Sequence, residues 1–352
     1  MSALPDLPNA GEVSRLLAGH IEALVRQTLP QGRRDGHEWR VGSTAGEPGR
    51  SLGVHLAGER AGVWADFASG DGGDALDLVA AVLCGDDRKE AYWWALDWLG
   101  IRTAAPEVRE RARDNAARAQ KQAEQAERQR AAARGKKVAA VWQEAREGLA
   151  GTPSYGYLLG RGIDLRRLGR QPRCLRHHPA LYEPETRDTW PALVAAVADG
   201  RGRLVAVHRH YLAVTAEGVS KAPVQVAKRS LGAVKGGCIR LWRGAAGTPL
   251  KDAAPGERVV ITEGVEDGLS IALARPEARV LVAVSLSNMA AVALPEGLDV
   301  VIAADNDATG SQAEKALDRA LMAHRRHARR VRLARPPADV KDFNELLVRG
   351  DA

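Results

Sequence analysis

From residue 256 to residue 352 short apolar strands alternate with helices, and no other feature constrains the fold of this chain as tightly. "RVVITE" (258–263) precedes the helical stretch "VEDGLSIALA", and "RVLVAVSL" precedes "NMAAVAL". "DVVIAAD" (299–305) precedes "SQAEKALDRALMAHRRH", and "RVRLAR" precedes "DFNELLVRG". Strands joined through helices are βαβ units, whose crossovers make the strands parallel. Continuous Val, Ile and Ala runs suit strands buried on both faces. Residues 251–352 are therefore expected to form an α/β unit, a parallel sheet with helices on both faces.

In an open parallel sheet the reactive groups stand at the carboxyl ends of the strands. Two strands here end in acid, "VVITEG" at Glu263 and "VVIAADND" at Asp305 and Asp307. Two carboxylates about 4 Å apart repel by roughly 4 kcal/mol at an effective dielectric of about 20, so something must offset them. If the two strands are neighbours, three carboxylates meet at one edge, an arrangement that calls for a divalent cation. Oxygen-only donors select Mg²⁺ or Mn²⁺ over zinc. The bland alternative is a capped turn, with Asp307 capping the helix that starts near Gly310. A lone Asp-x-Asp also occurs in sugar-nucleotide transferases and phosphohydrolases. Strand-Glu-Gly followed 42 residues later by strand-Asp-x-Asp-x-x-Gly is far more specific.

Upstream, residues 1–102 read as a small α+β domain. A helix over "GEVSRLLAGHIEALVRQTL" precedes strands in "HEWRVG", "SLGVHL" and "GVWADF", then helices in "GGDALDLVAAVLCG" (with Asp74 as N-cap) and "RKEAYWWALDWLGI". Trp93, Trp94 and Trp98 are expected in its core. Residues 103–150 are Ala-, Arg-, Gln- and Glu-rich with almost no apolar stripe before Val138, a solvated linker helix lacking a coiled-coil seam. Residues 151–250 form a basic mixed α+β subdomain. It has a helix in "SYGYLLGRGI", a strand pair around "DGRG" and an extended segment rich in Gly and Lys. The net charge is +7, and the arginines cluster in 161–178 and 324–335, which favours a polyanionic partner. Three scattered cysteines fit a reducing cytoplasm. No apolar run of membrane-spanning length, secretory signal or P-loop is visible, so a cytoplasmic protein without a membrane partner is expected.

Glu263-Gly264 at one strand end and Asp305-Asn306-Asp307 at another resemble the hallmark of the Toprim domain, the metal-binding module of DnaG-type primases, topoisomerases and some nucleases. Asp267 follows Glu263 at the family's spacing. "ADVKDFNELL" resembles the closing segment of phage and plasmid primases, and "YLLGRGI" is typical of that branch. The resemblance implies a primase of mobile-element type, a metal-dependent nucleotidyltransferase (a DNA-directed RNA polymerase) that makes short primers on single-stranded DNA during DNA replication. It implies catalytic and metal roles for Glu263, Asp305 and Asp307, with Asp267 and Asp342 as further metal contacts. Arg161, Arg209, Lys221 and Lys228 would meet template or nucleotide phosphates. Mg²⁺ or Mn²⁺ is the implied cofactor. Single-stranded DNA, nucleoside triphosphates and a separate replicative helicase are the implied partners. The first domain resembles the primase zinc-binding domain in layout, but Trp64, Asp66 and Ser69 stand where the family carries metal-binding cysteines. No zinc is expected there, and Trp39, Trp64 and the helices should hold that fold. A Toprim nuclease using the same acids, or a DNA-binding replication protein with an inactive site, are the rival readings.

Overall fold

The computed structural model describes residues 7–104, 106–306, 311–327 and 329–350. The chain divides into two compact units, Met1–Ala131 and Ala132–Ala352.

The first unit opens with α1 (Ala10–Gly19) and α2 (Ile21–Thr28). The single helix expected over 11–29 is broken at His20, directly after Gly19, a poor helix former. The break lets Val13 and Leu17 on one segment and Ile21, Leu24 and Val25 on the other all enter one core. Five strands follow, β1 (Arg33–Asp35), β2 (Glu38–Val41), β3 (Leu52–His55), β4 (Trp64–Asp66) and β5 (Gly72–Gly73), paired antiparallel in chain order. They lead to α3 (Ala75–Leu83) and α4 (Arg88–Trp98). Asp74 caps α3 as expected: its Oδ1 accepts from the Leu76 and Asp77 amides at 2.9 and 3.0 Å. Trp39 and Trp64 lie in the core, and the Trp39 indole donates to the Leu29 carbonyl at 3.1 Å. Trp94 and Trp98 stack with ring centroids 6.1 Å apart and pack on that core. Trp93 does not join them. Its ring is exposed under the Arg102 guanidinium, because one helix cannot turn three such closely spaced positions inward.

The long α5 (Pro106–Glu144) fills the expected linker. Its last turns, however, are not solvated: Val138, Val141 and Trp142 pack with Leu181, Val194, Val207 and Tyr211.

In the second unit α6 (Pro153–Gly160) precedes an antiparallel sheet of β6 (Leu175–Glu183), β7 (Asp188–Ala198), β8 (Leu204–Thr215), β9 (Gly218–Lys221) and β10 (Lys228–Gly232). Its strand order is β10-β8-β7-β6, with β9 also paired to β8. The final sheet combines β11 (Ile239–Arg243), β12 (Arg258–Thr262), β13 (Arg279–Val282), β14 (Asp299–Ala303) and β15 (Val331–Ala334) in the order β11-β13-β12-β14-β15. Helices α7 (Val265–Ala274), α8 (Leu286–Met289), α9 (Gln312–Arg326) and α10 (Phe343–Arg349) connect and close it. β12 to β15 are parallel, as the alternation predicts, whereas β11 is antiparallel to β13.

A boundary between residues 250 and 251 therefore cuts across the structure. β11 lies before it in sequence yet belongs to the final sheet, because it supplies the hydrogen-bonding edge that β13 otherwise lacks. Alternation along β12 splits its side chains between two cores. Val260 faces α7 and the middle sheet with Leu193, Leu212 and Leu269, while Val259 and Ile261 face Met289, Leu317 and Ala320 on α8 and α9. Helices thus cover both faces. Among the described residues no helix is long and apolar enough to cross a membrane.

Candidate active site

Because β12 and β14 are hydrogen-bonded neighbours running the same way, their carboxyl ends lie side by side. Glu263 directly follows β12 and Asp305 follows β14 by two residues. Both line one small cavity of about 10 Å³, room for a single water-sized group, together with Glu314 and Arg335. Backbone contacts hold the edge in place. The Val284 amide donates to the Glu263 carbonyl at 3.1 Å, and Val284 sits at φ +73°, rare for a β-branched residue. The Asn306 amide donates to the Lys341 carbonyl at 2.9 Å, and its side-chain amide donates to the Pro336, Pro337 and Val340 carbonyls at 3.1, 2.9 and 2.8 Å. The loop carrying Asp305 is thereby tied to the loop that leads into α10.

Asp267, in the first turn of α7, accepts the Asn344 amide at 3.1 Å. Burial, reinforced by Asp305 and Asp342, pushes its carboxyl up to about 7. Asp342 caps α10, its Oδ1 accepting from the Glu345 amide at 2.7 Å. Asp307 lies outside the described residues. Among the described residues no three His, Cys, Asp or Glu side chains form a metal-sized cluster. What the structure brings together is the pair Glu263 and Asp305, with Asp267 and Asp342 in electrostatic reach of Asp305 or of each other. An all-oxygen donor set, in which one carboxyl is pushed towards protonation by burial and then by its acidic neighbours, fits a hard divalent cation.

Beside the acids lies a second charged group that sequence reasoning missed. Glu266, almost fully buried in the first turn of α7, accepts from the Tyr157 hydroxyl at 2.6 Å and from Lys228 Nζ at 2.9 and 3.0 Å. His210 Nδ1 stands 3.7 Å from the same carboxylate. Burial disfavours the charged form of Glu266, but His210, Lys228 and Tyr157 outweigh it and hold the carboxyl below its usual range. Burial in turn lowers His210 to about 4, so it is neutral at pH 7 and the Lys228 ammonium supplies the compensating charge. Lys228, expected to meet template or nucleotide phosphates, is ion-paired with Glu266 in this structure and keeps about a third of its side chain exposed.

Lys221 is lowered, first by burial and then by the nearby Lys228, with Arg161 and Lys341 also contributing. Arg161 ends α6; its carbonyl accepts from Asn344 Nδ2 at 2.8 Å, and its Nε is buried without a hydrogen-bond partner. These cations therefore gather beside the acids on the α7 side of the middle sheet. Arg209 does not. Lys228 pairs across the strands with His210, so the side chain at 209 points to the opposite face. There its guanidinium stands over the Tyr211 ring, in electrostatic reach of Glu183 and Arg229. Arg209 was expected, with Lys221 and Lys228, to meet template or nucleotide phosphates; the two-residue period of the strand sets it on the face away from the acids.

Glu266 carried only a weak sequence signal, an acid three residues after Glu263 in a helix's first turn. Such acids commonly serve only to complement the helix dipole. Tyr157 and His210 carried none, since their partner lies about a hundred and about fifty residues away along the chain respectively.

Residues 258–352 match the Toprim domain family, and residues 132–241 match a family described as a domain of unknown function (DUF7146). No curated protein matches the chain. Among solved structures, the Aquifex aeolicus primase zinc-binding and RNA polymerase domains are similar over 97% of this chain and 82% of that one, at 16% identity and TM-score 0.41. A DNA primase domain from Pseudomonas aeruginosa is similar over 61% of this chain and 74% of that one, at 16% identity and TM-score 0.39. The primase fragment of the bacteriophage T7 primase-helicase protein is similar over 56% and 71%, at 19% identity and TM-score 0.37. The C-terminal part of this chain, residues 258–352, is a Toprim domain.

Proposed function

We propose that the chain is a primase-type nucleotidyltransferase that makes short primers on single-stranded DNA, acting in the cytoplasm in phage or plasmid replication beside a separate helicase. One observation carries the reading: Glu263 and Asp305 share a cavity at the carboxyl ends of adjacent parallel strands, with Lys221 and Arg161 gathered nearby. Acids able to hold divalent cations stand next to cations able to hold phosphates, as transfer of a nucleotidyl group requires.

Glu263, Asp305, Asp307 and Asp267 would hold Mg²⁺ or Mn²⁺, with Asp342 beside them. The ions neutralise the charge of the triphosphate when bound. Lys221 and Arg161 bind and orient the phosphates. If Glu263 serves as general base instead of holding an ion, it takes the proton of the ribose 3′-hydroxyl as that oxygen attacks the α-phosphorus and pyrophosphate leaves. Glu266 and Lys228, locked together, keep α7 and its Asp267 in register with the middle sheet.

The test combines purified protein, ribonucleotides, Mg²⁺ or Mn²⁺ and circular single-stranded DNA, with a Glu263→Gln variant alongside. Primers made by the wild type and absent with the variant support the proposal. Nicked or degraded DNA without synthesis replaces it with a Toprim nuclease. Binding that is the same in both proteins, with neither activity, replaces it with a DNA-binding replication protein.

A further inference from the structure

A groove of about 410 Å³ lies at the β11 edge of the final sheet, away from the carboxylates. β11 runs antiparallel to β13, so Trp242 and Arg243 stand level with Val280 and Arg279, at the start of β13. Glu263 lies beyond the opposite end of the neighbouring parallel strand β12, so roughly 10 Å or more separates the two places along the strand direction. Five arginines line the groove, Arg170, Arg173, Arg240, Arg243 and Arg279, without a single Asp or Glu.

Among the described residues, only Arg279 of the five is ion-paired, with Glu257 at 2.6 Å. Arg240 spends its head group on the Asp199 and Gly200 carbonyls at 2.8 and 3.2 Å, and its Nε is buried without a partner. Arg243 reaches the Gly247 carbonyl at 3.3 Å, which leaves its charge uncompensated. Arg170 sets its guanidinium carbon over the Trp242 ring, 4.4 Å from its centroid, and that indole is itself fixed by the Pro276 carbonyl at 2.7 Å. Arg173 is exposed and forms no ion pair among the described residues. Trp142 lines the same groove. A stacked guanidinium loses little further freedom on binding and turns its N–H edge outward in the fork that matches phosphate oxygens.

We infer that this groove is a second nucleic-acid site, one that tracks the phosphodiester backbone of a single strand. Four guanidiniums drawn from two chain segments, 170–173 and 240–243, border one groove without an ion pair among the described residues. The groove is open and mixes apolar with cationic walls, which suits an unpaired strand whose bases need apolar contact. The groove does not depend on the nucleotidyl-transfer reading, since it uses none of the carboxylates.

The test is anisotropy of fluorescent oligothymidylate and oligouridylate with the full chain in EDTA, which removes any divalent-dependent binding at the acids. Arg173→Glu/Arg243→Glu should weaken binding at least about tenfold and cut the slope of log K against log salt by about 1.4, near 0.7 for each lost phosphate contact. The milder Arg173→Ala/Arg243→Ala should move both quantities the same way, with an unchanged thermal melt showing that the fold is intact. DNA and RNA strands bound alike support a backbone reader. Unchanged affinity and slope in both variants overturn the inference. So does binding abolished by EDTA, or a mononucleotide or a duplex that binds as tightly as the strand. A protein that makes no primers yet keeps this salt-dependent binding would sink the proposed function and leave the groove standing.

Discussion

At the carboxyl end of β12 and β14 the final sheet gathers carboxylates; at the opposite end, where Arg243 pairs with Arg279 across β11 and β13, it gathers guanidiniums. Part of this sorting follows from chain direction alone. In parallel βαβ units every helix begins near the carboxyl ends of the strands, so acids there meet helix N-termini and bases at the far end meet C-termini. Glu266 and Asp267 in the first turn of α7, Arg275 at its end and Arg325 and Arg326 at the end of α9 obey that rule. The rule does not explain the depth of burial at the acid end. A helix dipole is worth at most about 2 kcal/mol, yet Asp267 is driven up to about 7 against it, and Glu266 stays ionised through its contacts with His210, Lys228 and Tyr157. The acid end is electrostatically crowded and internally compensated, whereas the arginine end is open and largely uncompensated. The first pattern suits small hard cations, the second a flexible polyanion.

Variants can break that contrast, beginning with the largest effect. Glu266→Ala strands the Lys228 ammonium and removes the Tyr157 and His210 partner; a loss of about 2–3 kcal/mol in urea unfolding is expected. That is less than for a fully buried pair because Lys228 keeps about a third of its side chain in solvent. Wild-type stability in this variant would mean that the two sheets are not coupled through this carboxylate. Tyr157→Phe deletes one hydrogen bond to a charged group while keeping the ring, so about 1.5 kcal/mol should be lost. Asp342→Ala removes the α10 cap, costing about 1 kcal/mol, offset in part by relief of repulsion on Asp267.

The pH dependence sharpens the same contrast. The folded His210 titrates at about 4 against an ordinary 6.5, so the unfolded chain takes up the proton first. Stability should therefore fall as pH drops from about 6.5 to about 4, and His210→Phe should flatten that limb. Asp267 behaves in the opposite sense. Its folded carboxyl holds a proton up to about 7 against an ordinary 3.8, so stability falls as pH rises through that window, and Asp267→Asn should remove the trend. Because a proton and a metal compete for this carboxyl, Mg²⁺ should raise the melting temperature more at about pH 8 than at about pH 5.5. An equal rise at both would detach Asp267 from the metal site.

Much of the acid end was legible in the sequence because apolar strands ending in Glu or Asp declare both their burial and their carboxyl ends. The parallel pairing of β12 with β14 turned two such endings into one edge. What stayed hidden needed register or distant pairing. Arg209 and His210 are neighbours in sequence, and only the pairing of His210 with Lys228 decides which of them faces the acids. β11 could not be assigned to the final sheet, since an antiparallel edge strand carries no crossover helix to announce it. Of the arginine groove the sequence showed only the 161–178 cluster that holds Arg170 and Arg173, because Arg243 joins them in one cavity only through the fold.

The most direct measurement is the rate of first-dinucleotide formation from labelled ribonucleotides on a short single-stranded template, comparing wild type with Asp305→Asn at matched folded content and saturating Mn²⁺. A fall of at least about 100-fold is expected with template affinity in EDTA unchanged, the pattern of a group that acts on the transition state and not on strand binding. Equal rates in the two proteins would contradict it.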